Sequence, residues 1–240
     1  MNKNQNTLSA NNLVKTKETI NHMGKFFRTV TNEYLNTELN HKIVWECFFR
    51  NNCEEYKKVY AAEIIAILKN SNSTKKVIII ENFRYPVEKK VLEFPSGMID
   101  HHEFEKIKEI HDKIQVTSEQ NELNTLTQEF NYNLEKGLKE GAIREFKEET
   151  GYVGTFNKFL NLGNTNTINI FKNMFHSPWL GGENATVVML DVDLENEANI
   201  NPRQNLEKDE LIKVHVVDIN NLFDFISEKM DKEDYGCTST

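Results

Sequence analysis

Three glutamates within five residues are the part of this sequence best suited to chemistry. Glu145, Glu148 and Glu149 lie in the segment REFKEETGY. Positions i, i+3 and i+4 share one face of an α-helix, so the three carboxylates are expected to project together. Like charges at this spacing repel by roughly 0.2–0.5 kcal/mol per pair, which predicts a positive group nearby. Gly151 predicts the end of this helix, because glycine readily adopts a positive φ.

Two interpretations of this carboxylate cluster follow from the residues alone. Acidic helix faces are often simply solvated, and that is the simpler interpretation. Carboxylate oxygens also suit hard divalent cations, Mg²⁺ or Mn²⁺. The order of residues, Arg-Glu, apolar, any, Glu-Glu, any, Gly, apolar, is far more specific than a run of charge and favours the cation site.

Composition restricts the classes of partner. The chain has 240 residues, 38% of them hydrophobic, and a net charge of −8, so it can form one large or two small domains with a real core. The acidic balance argues against a nucleic acid as partner. Three sparse cysteines, Cys47, Cys53 and Cys237, favour a reducing compartment. No run approaches the ~18 apolar residues of a membrane span, and the polar segment 1–13 is expected to be disordered, so we predict a cytoplasmic protein.

The elements that must position the glutamates follow from periodicity and turn residues. Residues 14–56 predict a small antiparallel β-sheet of two or three strands, and residues 57–232 predict a larger domain. In that domain the expected strands are 58–68, which could also be helical, 77–83, the start of 90–100, 186–194 and 210–219. Helices are expected at 137–149 and 220–230, and 233–240 is predicted to be a frayed tail. The predicted fold is α/β (α+β), a mixed sheet sandwiched between helices.

Residues 101–134 do not fit this regular pattern. The apolar spacing of HEFEKIKEIHDKIQ is helical, whereas SEQNELNTLTQEFNYN is polar and weakly patterned. We expect this segment to be an insertion that forms a mobile flap or a surface helix.

The segment 144–152 resembles the core of the Nudix box, G-x5-E-x7-R-E-U-x-E-E-x-G-U with U apolar, and fills every defined position of that core. EFPSGMID is similar to the phrase that begins the box in the ADP-ribose/ADP-sugar pyrophosphatase group, which makes Gly97 its first glycine. The resemblance runs from about residue 20 to about 230, with gaps. The stretch from Gly97 to Arg144 is much longer than the box, and the middle glutamate falls at Lys136, with Glu135 one place away.

The resemblance implies a Nudix fold and Mg²⁺-dependent hydrolysis of the pyrophosphate bond of ADP-ribose, or of related ADP-sugars, to AMP and ribose 5-phosphate. Mn²⁺ is an alternative ion. The implied metal ligands are Glu145, Glu149, Glu148 and the backbone carbonyl of Ser96. Arg144 cannot bind a cation and is expected to hold a neighbouring carboxylate in place. The implied catalytic base is Glu210, with Glu207 in reserve.

Substrate contacts are implied for a second set of residues. Trp45 and Phe26, in the N-terminal sheet, match positions where the family places aromatic residues on the base, and in the family this sheet reaches across a homodimer. Both could instead be core residues. Arg50 and Arg84 suit diphosphate or ribose contacts, because a guanidinium group binds phosphate in a fork. Glu93 is expected at the terminal ribose or a metal, and Pro178 in a loop where Trp179 replaces the family's glycine.

Two alternative functions remain open from the sequence. The first is hydrolysis of a different nucleoside diphosphate derivative. The second is a non-catalytic module that binds ADP-ribose. Such modules usually lose a helix carboxylate, and this chain keeps all three.

Overall fold

The computed structural model describes residues 12–51, 61–69, 75–99, 101–160, 174–181 and 184–238. The chain forms two compact units, residues 1–59 with 177–183 (the N-terminal unit) and residues 60–176 with 184–240 (the main unit). Several features of the sequence lie outside the described residues: most of the N-terminal segment expected to be disordered, Cys53, the domain boundary expected at 56/57 and the Asn/Thr-rich stretch 161–173.

The N-terminal unit contains a three-stranded antiparallel sheet in the order β1-β2-β3. The strands are β1 (Leu13–Met23), β2 (Phe27–Asn36) and β3 (His41–Arg50). The sheet predicted for this segment is therefore present, with three strands. Along β3, Trp45 pairs with Asn32 and Arg50 pairs with Phe27. This register fixes how far apart the aromatic residues of the sheet lie.

The main unit contains a nine-stranded mixed sheet. Its strands are β4 (Ala61–Lys69), β5 (Lys76–Arg84), β6 (Lys89–Glu93), β7 (Ser96–Met98), β8 (Thr155–Phe159), β9 (Met174–Phe175), β10 (Asn184–Asp193), β11 (Ile212–Asp218) and β12 (Gly236–Cys237). β10 runs parallel to β4 and β12 parallel to β6, and the other pairs are antiparallel. The segment 58–68 could have been strand or helix, and the part of it that the structure describes, residues 61–68, is a strand.

Helices cover both faces of this sheet. The helices are α1 (His101–Val116), α2 (Gln120–Thr150) and α3 (Leu222–Glu233). Alternation along β5 sends Ile78 and Ile80 into a core formed with α1 and α2, and sends Val77 and Ile79 into a second core with α3. The predicted class, a mixed sheet between helices with a small antiparallel sheet beside it in sequence, is confirmed.

The segment 101–134 is helical throughout except for a short connection at 117–119. α2 starts at Gln120, well before the helix that we predicted at 137–149. The second half of the insertion and the predicted helix therefore form one continuous helix. Ile107 and Ile110 of α1 are buried in or beside the α2 core. The segment therefore packs as a helical hairpin, which differs from a mobile flap because its apolar stripe is buried.

The C-terminal segment also differs from the frayed tail that we expected. α3 extends to Glu233, and the two residues of β12 pair with β6. Tyr235 between them is only 7% exposed and belongs to the α3 core. No helix among the described residues has the length and apolarity to cross a membrane.

Candidate active site

One stripe of α2 combines two glycines with two of the candidate carboxylates. Gly137, Gly141, Glu145 and Glu149 recur every four residues and therefore lie along the same side of the helix. A Cβ at Gly141 would lie 3.1 Å from the carbonyl oxygen of Met98, a distance tighter than normal packing. The glycines thus let α2 approach the strand β7 closely, and the stripe continues into the glutamates.

The glutamates of this stripe lie directly against Ser96 and Gly97. The backbone N–H of Ser96 donates to Oε2 of Glu149 at 3.0 Å. A Cβ built at Gly97 would overlap the Cγ of Glu145, so only glycine fits there. Gly151, with φ of 78°, ends the helix as predicted. The carboxylates are therefore gathered at β7 rather than spread into solvent.

Arg144 provides the positive group that the acidic cluster requires. Its guanidinium donates to Glu148 at 2.8 Å, to Glu145 at 3.0 Å and to the carbonyl oxygen of Met98 at 3.2 Å. One cation thus connects two carboxylates of the helix to the backbone of β7. Arg144 therefore holds two of the carboxylates in place, and its role beside a bound metal stays a prediction.

Five carboxylates share one electrostatic environment. Burial raises the pKa of Glu149, the Ser96 N–H lowers it, and the charges of Glu145, Glu210 and Glu93 raise it further, to about 8. Burial likewise raises the pKa of Glu145; Arg144 opposes this shift, and Glu148 and Glu210 add to it. The charge of Arg144 therefore does not offset the whole cluster.

A divalent cation fits this environment. Within the described ranges no group of three or more His, Cys, Asp or Glu side chains is arranged as a ready metal site. The donors nevertheless have the oxygen chemistry that Mg²⁺ and Mn²⁺ prefer. A bound divalent cation would offset the negative charge that these carboxylates share.

The candidate base Glu210 lies in a loop that folds back on itself. The backbone N–H of Glu207 donates to Oε2 of Glu210 at 2.8 Å, and the N–H of Glu210 donates to the carbonyl oxygen of Glu207 at 3.2 Å. These bonds orient the Glu210 carboxylate. Because its charge acts on Glu145 and Glu149, Glu210 belongs to the same cluster, whereas Glu207 takes part through its backbone.

Gln204 is a residue of this site that sequence reasoning missed. Its Nε2 donates to the carbonyl oxygen of Glu149 at 2.6 Å and to that of Ile212 at 3.2 Å. The neighbouring N–H of Asn205 donates to the carbonyl oxygen of Glu148 at 2.8 Å. These bonds satisfy carbonyls at the end of α2 and tie the helix to the loop before β11. A polar loop residue gives no periodic signal that would reveal this role.

Arg84 and Glu93 are brought together, which the sequence did not predict. Nε and Nη2 of Arg84 contact the two carboxylate oxygens of Glu93 at 3.1 and 2.7 Å. Nδ2 of the buried Asn82 adds a third contact to Glu93 at 3.3 Å. All three project from the sheet face that α2 covers, since Ile80 pairs with Glu93 and lies in the α2 core. Arg84 therefore orients Glu93 beside the cluster.

The other predicted substrate residues lie in the N-terminal unit. Trp45 is 50% exposed and Phe26 is 64% exposed, so the alternative that they are core residues does not hold. The guanidinium of Arg50 lies over the ring of Phe27 at 5.1 Å. Pro178 is exposed in the turn before Trp179, in this same unit. The predicted residues thus fall into a carboxylate group in the main unit and an aromatic group in the N-terminal unit.

Curated relatives carry the family name that the helix motif predicts. The chain is 26% identical over 178 residues to an uncharacterized Nudix hydrolase of Schizosaccharomyces pombe, covering 74% of this chain and 64% of that protein. It is 27% identical over 173 residues to the ADP-ribose pyrophosphatase of Saccharomyces cerevisiae, covering 72% of this chain and 55% of that protein. The chain thus spans less than two thirds of the length of these relatives. Their names confirm the resemblance to the Nudix hydrolases.

Other comparisons complete this result. No family model matches the chain. A crystal structure of an ADP compounds hydrolase aligns with a TM-score of 0.48 and 14% identity, over 92% of this chain and 87% of that one. A NUDIX hydrolase from Nitrosomonas europaea aligns with a TM-score of 0.37 and 11% identity, over 69% and 77% of the two chains.

Proposed function

We propose that this chain is a divalent-metal-dependent Nudix hydrolase that cleaves the pyrophosphate bond of ADP-ribose, or of a related ADP-sugar, to AMP and ribose 5-phosphate. The observation that carries the proposal is the carboxylate cluster on one stripe of α2, placed against Ser96 and Gly97. The name of the Saccharomyces cerevisiae relative supports the substrate class.

The chain's own residues take the following roles in this proposal. Glu145, Glu149, Glu148 and the carbonyl of Ser96 would hold the ions. When bound, Mg²⁺ or Mn²⁺ offsets the charge of the diphosphate and polarises its phosphorus–oxygen bonds. Arg144 keeps Glu145 and Glu148 in position.

Glu210 is proposed as the general base. Its carboxylate, oriented by the N–H of Glu207, accepts a proton from the attacking water. The water oxygen forms a bond to one phosphorus, the bond from that phosphorus to the bridging oxygen breaks, and the second phosphate leaves with the bridging oxygen. Glu93, held by Arg84 and Asn82, is placed to contact the terminal ribose or an ion.

A substrate panel with Mg²⁺ and Mn²⁺ tests the proposal. We expect ADP-ribose to have the highest kcat/KM among nucleoside diphosphate derivatives, and Glu145→Gln to abolish turnover while the circular dichroism spectrum stays unchanged. If another derivative had a higher kcat/KM than ADP-ribose, that derivative would be the substrate. Binding of ADP-ribose without release of AMP would show that the chain is a binding module and not an enzyme. Near-normal activity of Glu145→Gln would overturn the metal assignment.

The N-terminal unit supports a homodimer as the working assembly. β1 is exposed along almost its whole length, including Leu13, Ile20 and Met23. A small sheet with apolar residues on the outside rarely stands alone. Light scattering should therefore give about twice the chain mass of 28.0 kDa, and a monomer mass at micromolar concentration would contradict this assembly.

A further inference from the structure

The C-terminal end of the described chain gives β6 a second hydrogen-bonded neighbour. β12 pairs with β6 in parallel, and Cys237 lies beside Leu92 in this register. The N–H of Thr238 then donates to the carbonyl oxygen of Leu92 at 3.2 Å. That carbonyl belongs to the peptide bond that joins Leu92 to Glu93. β6 is therefore held between β5 and β12 as far as the residue that enters the candidate site.

Tyr235 is the side chain that attaches this C-terminal segment to β6. It is only 7% exposed, and its hydroxyl accepts a hydrogen bond from Nζ of Lys90, in β6, at 3.3 Å. The same Nζ lies 5.4 Å from the centre of the tyrosine ring, and Nζ of Lys229, in α3, lies 5.2 Å from it. Both distances are typical of cation–π contacts. Lys90 is held in turn by the buried Glu81 at 2.9 Å. Tyr235 is thus fixed to a strand and to a helix.

The residues on either side of Glu93 pack in the same core as Tyr235. Leu92 is 1% exposed in the α3 core, and the partly buried Phe94 packs against that core. Side chains alternate along an extended strand, so Glu93 between them points to the opposite face, which α2 covers. There its charge acts on Glu149. The packing around Tyr235 therefore sets the direction in which Glu93 projects.

We propose that Tyr235 is a positioning residue that holds Glu93 at the carboxylate cluster and thereby sets the affinity of the site for a divalent cation. This inference rests on the proposed function, because it concerns the same site. Arg84 and Asn82 of β5 fix the side chain of Glu93, whereas β12 fixes the backbone that carries it. Without Tyr235, β6 becomes an edge strand, and its backbone at Glu93 is held from one side only.

Binding of Mn²⁺ in the absence of substrate tests this role without any need for turnover. Mn²⁺ alone is titrated into the full chain, and the free ion is followed by electron paramagnetic resonance. We expect Tyr235→Ala to weaken the Kd for Mn²⁺ about tenfold, the lower end of the loss typical when a residue that orients a metal ligand is removed. Tyr235→Phe keeps the ring and should weaken the Kd much less. In a Glu93→Gln background, Tyr235→Ala should cause almost no further loss, because both changes act through one carboxylate.

Val217→Ala is the matched control for stability. Val217 is 8% exposed and belongs to the same core as Tyr235, but it lies on β11, whose partner is β5. This variant should lower the free energy of unfolding and leave the Kd for Mn²⁺ unchanged. If circular dichroism shows that Tyr235→Ala does not fold, Tyr235→Leu takes its place. It keeps an apolar side chain in the core and loses the contacts with Lys90, and the same loss of Mn²⁺ affinity is expected.

Three results would overturn the inference: an unchanged Kd in the folded Tyr235 variant, an equal loss in Val217→Ala, or the same loss with and without Glu93→Gln. Release of AMP from ADP-ribose in Mn²⁺ is measured separately. If Mn²⁺ binding responds to the Tyr235 variants as expected but no AMP is released, the proposed hydrolysis fails and the role of Tyr235 at the cation site stands. If AMP is released while the Kd for Mn²⁺ is unchanged in Tyr235→Ala, only the role of Tyr235 fails.

Discussion

At the scale of single residues, Gly97 is the position where one added carbon would matter most. A Cβ there would overlap the side chain of Glu145. We expect Gly97→Ala to displace that carboxylate and to lower kcat by about 100-fold, the cost of a misplacement of about 1 Å. Steady-state kinetics with Mg²⁺ checks this. Gly236→Ala is the control, because a Cβ there meets only ordinary van der Waals contacts; equal losses in both variants would contradict the prediction.

Gln204 is predicted to act by positioning the Glu210 loop. Gln204→Ala removes the two bonds to Glu149 and Ile212 and should lower kcat about tenfold with KM little changed, because the loop loses its tie to α2. The measurement is a double-mutant cycle with Glu210→Gln, in which the second substitution should add little.

Asn199→Ala supplies the comparison for this cycle. Asn199 also joins loops, through bonds to Val153 and Asp193, but it does not contact the carboxylate cluster. Its effect should be additive with that of Glu210→Gln. A fully additive loss in Gln204→Ala would show that Gln204 only supports folding. Hydrogen exchange of residues 205–211 reports the loop without any need for turnover.

How much of the site the sequence predicts depends on the kind of contact. Glu145, Glu148 and Glu149 were predicted to share a face because helix periodicity is local, and the structure places them so. The bond from Ser96 to Glu149 and the clamp of Arg84 on Glu93 are tertiary contacts, which spacing does not reveal. Gln204 was missed because its partners are backbone carbonyls, which every residue has. The roles of these residues in catalysis remain predictions.

At the scale of elements, the helical hairpin of α1 and α2 is predicted to be part of the stable core. Ile107 is 1% exposed, so Ile107→Ala should lower the free energy of unfolding by about 2–5 kcal/mol. Urea denaturation followed by circular dichroism measures this. Val116→Ala, at a position 83% exposed, should change it by less than about 0.5 kcal/mol. A small effect of Ile107→Ala would mean that the hairpin is a loosely attached flap after all.

Elements were predicted best where burial imposes a pattern. The residues Val77–Ile80 of β5 are buried on both faces of the sheet, and this segment was correctly predicted as a strand. The first half of α2 was not predicted, because its polar and Asn-rich sequence has a weak stripe and its helicity depends on packing against α1. β12 has two residues and no pattern at all. It is ordered because Tyr235 is buried in the α3 core, a contact distant in sequence.

At the scale of the whole molecule, Glu81 links stability to pH. Burial would raise the pKa of Glu81, but hydrogen bonds from Lys90, His215 and Tyr235 outweigh it and lower the pKa to about 2. The folded pKa lies below the ordinary value of 4.5, so this stabilisation is complete above pH 4.5 and is lost as the pH falls towards 2. The full effect is of order 3 kcal/mol.

The difference in unfolding free energy between the protein and Glu81→Gln isolates this contribution. Urea unfolding between pH 7 and pH 3 should show the difference shrinking below pH 4.5. The pKa of Glu149 is raised, so its ionisation lowers the free energy of unfolding as the pH rises above 4.5. This contribution is the same in the protein and in Glu81→Gln, so it cancels in their difference. Glu228→Gln, at a solvent-exposed ion pair with Lys232, should show little dependence. A difference that stays constant with pH would refute the assignment to Glu81.

The unbroken run of α2 from the insertion into the carboxylate stripe has a consequence for natural and engineered length variants. Removing one residue between 121 and 129 would turn everything upstream by about 100° around the helix axis and point its apolar side chains away from α1. Removing seven would restore the orientation to within about 20°. The hairpin can therefore be trimmed only by pairs of turns, and α1 must be cut by the same amount so that the connection still closes.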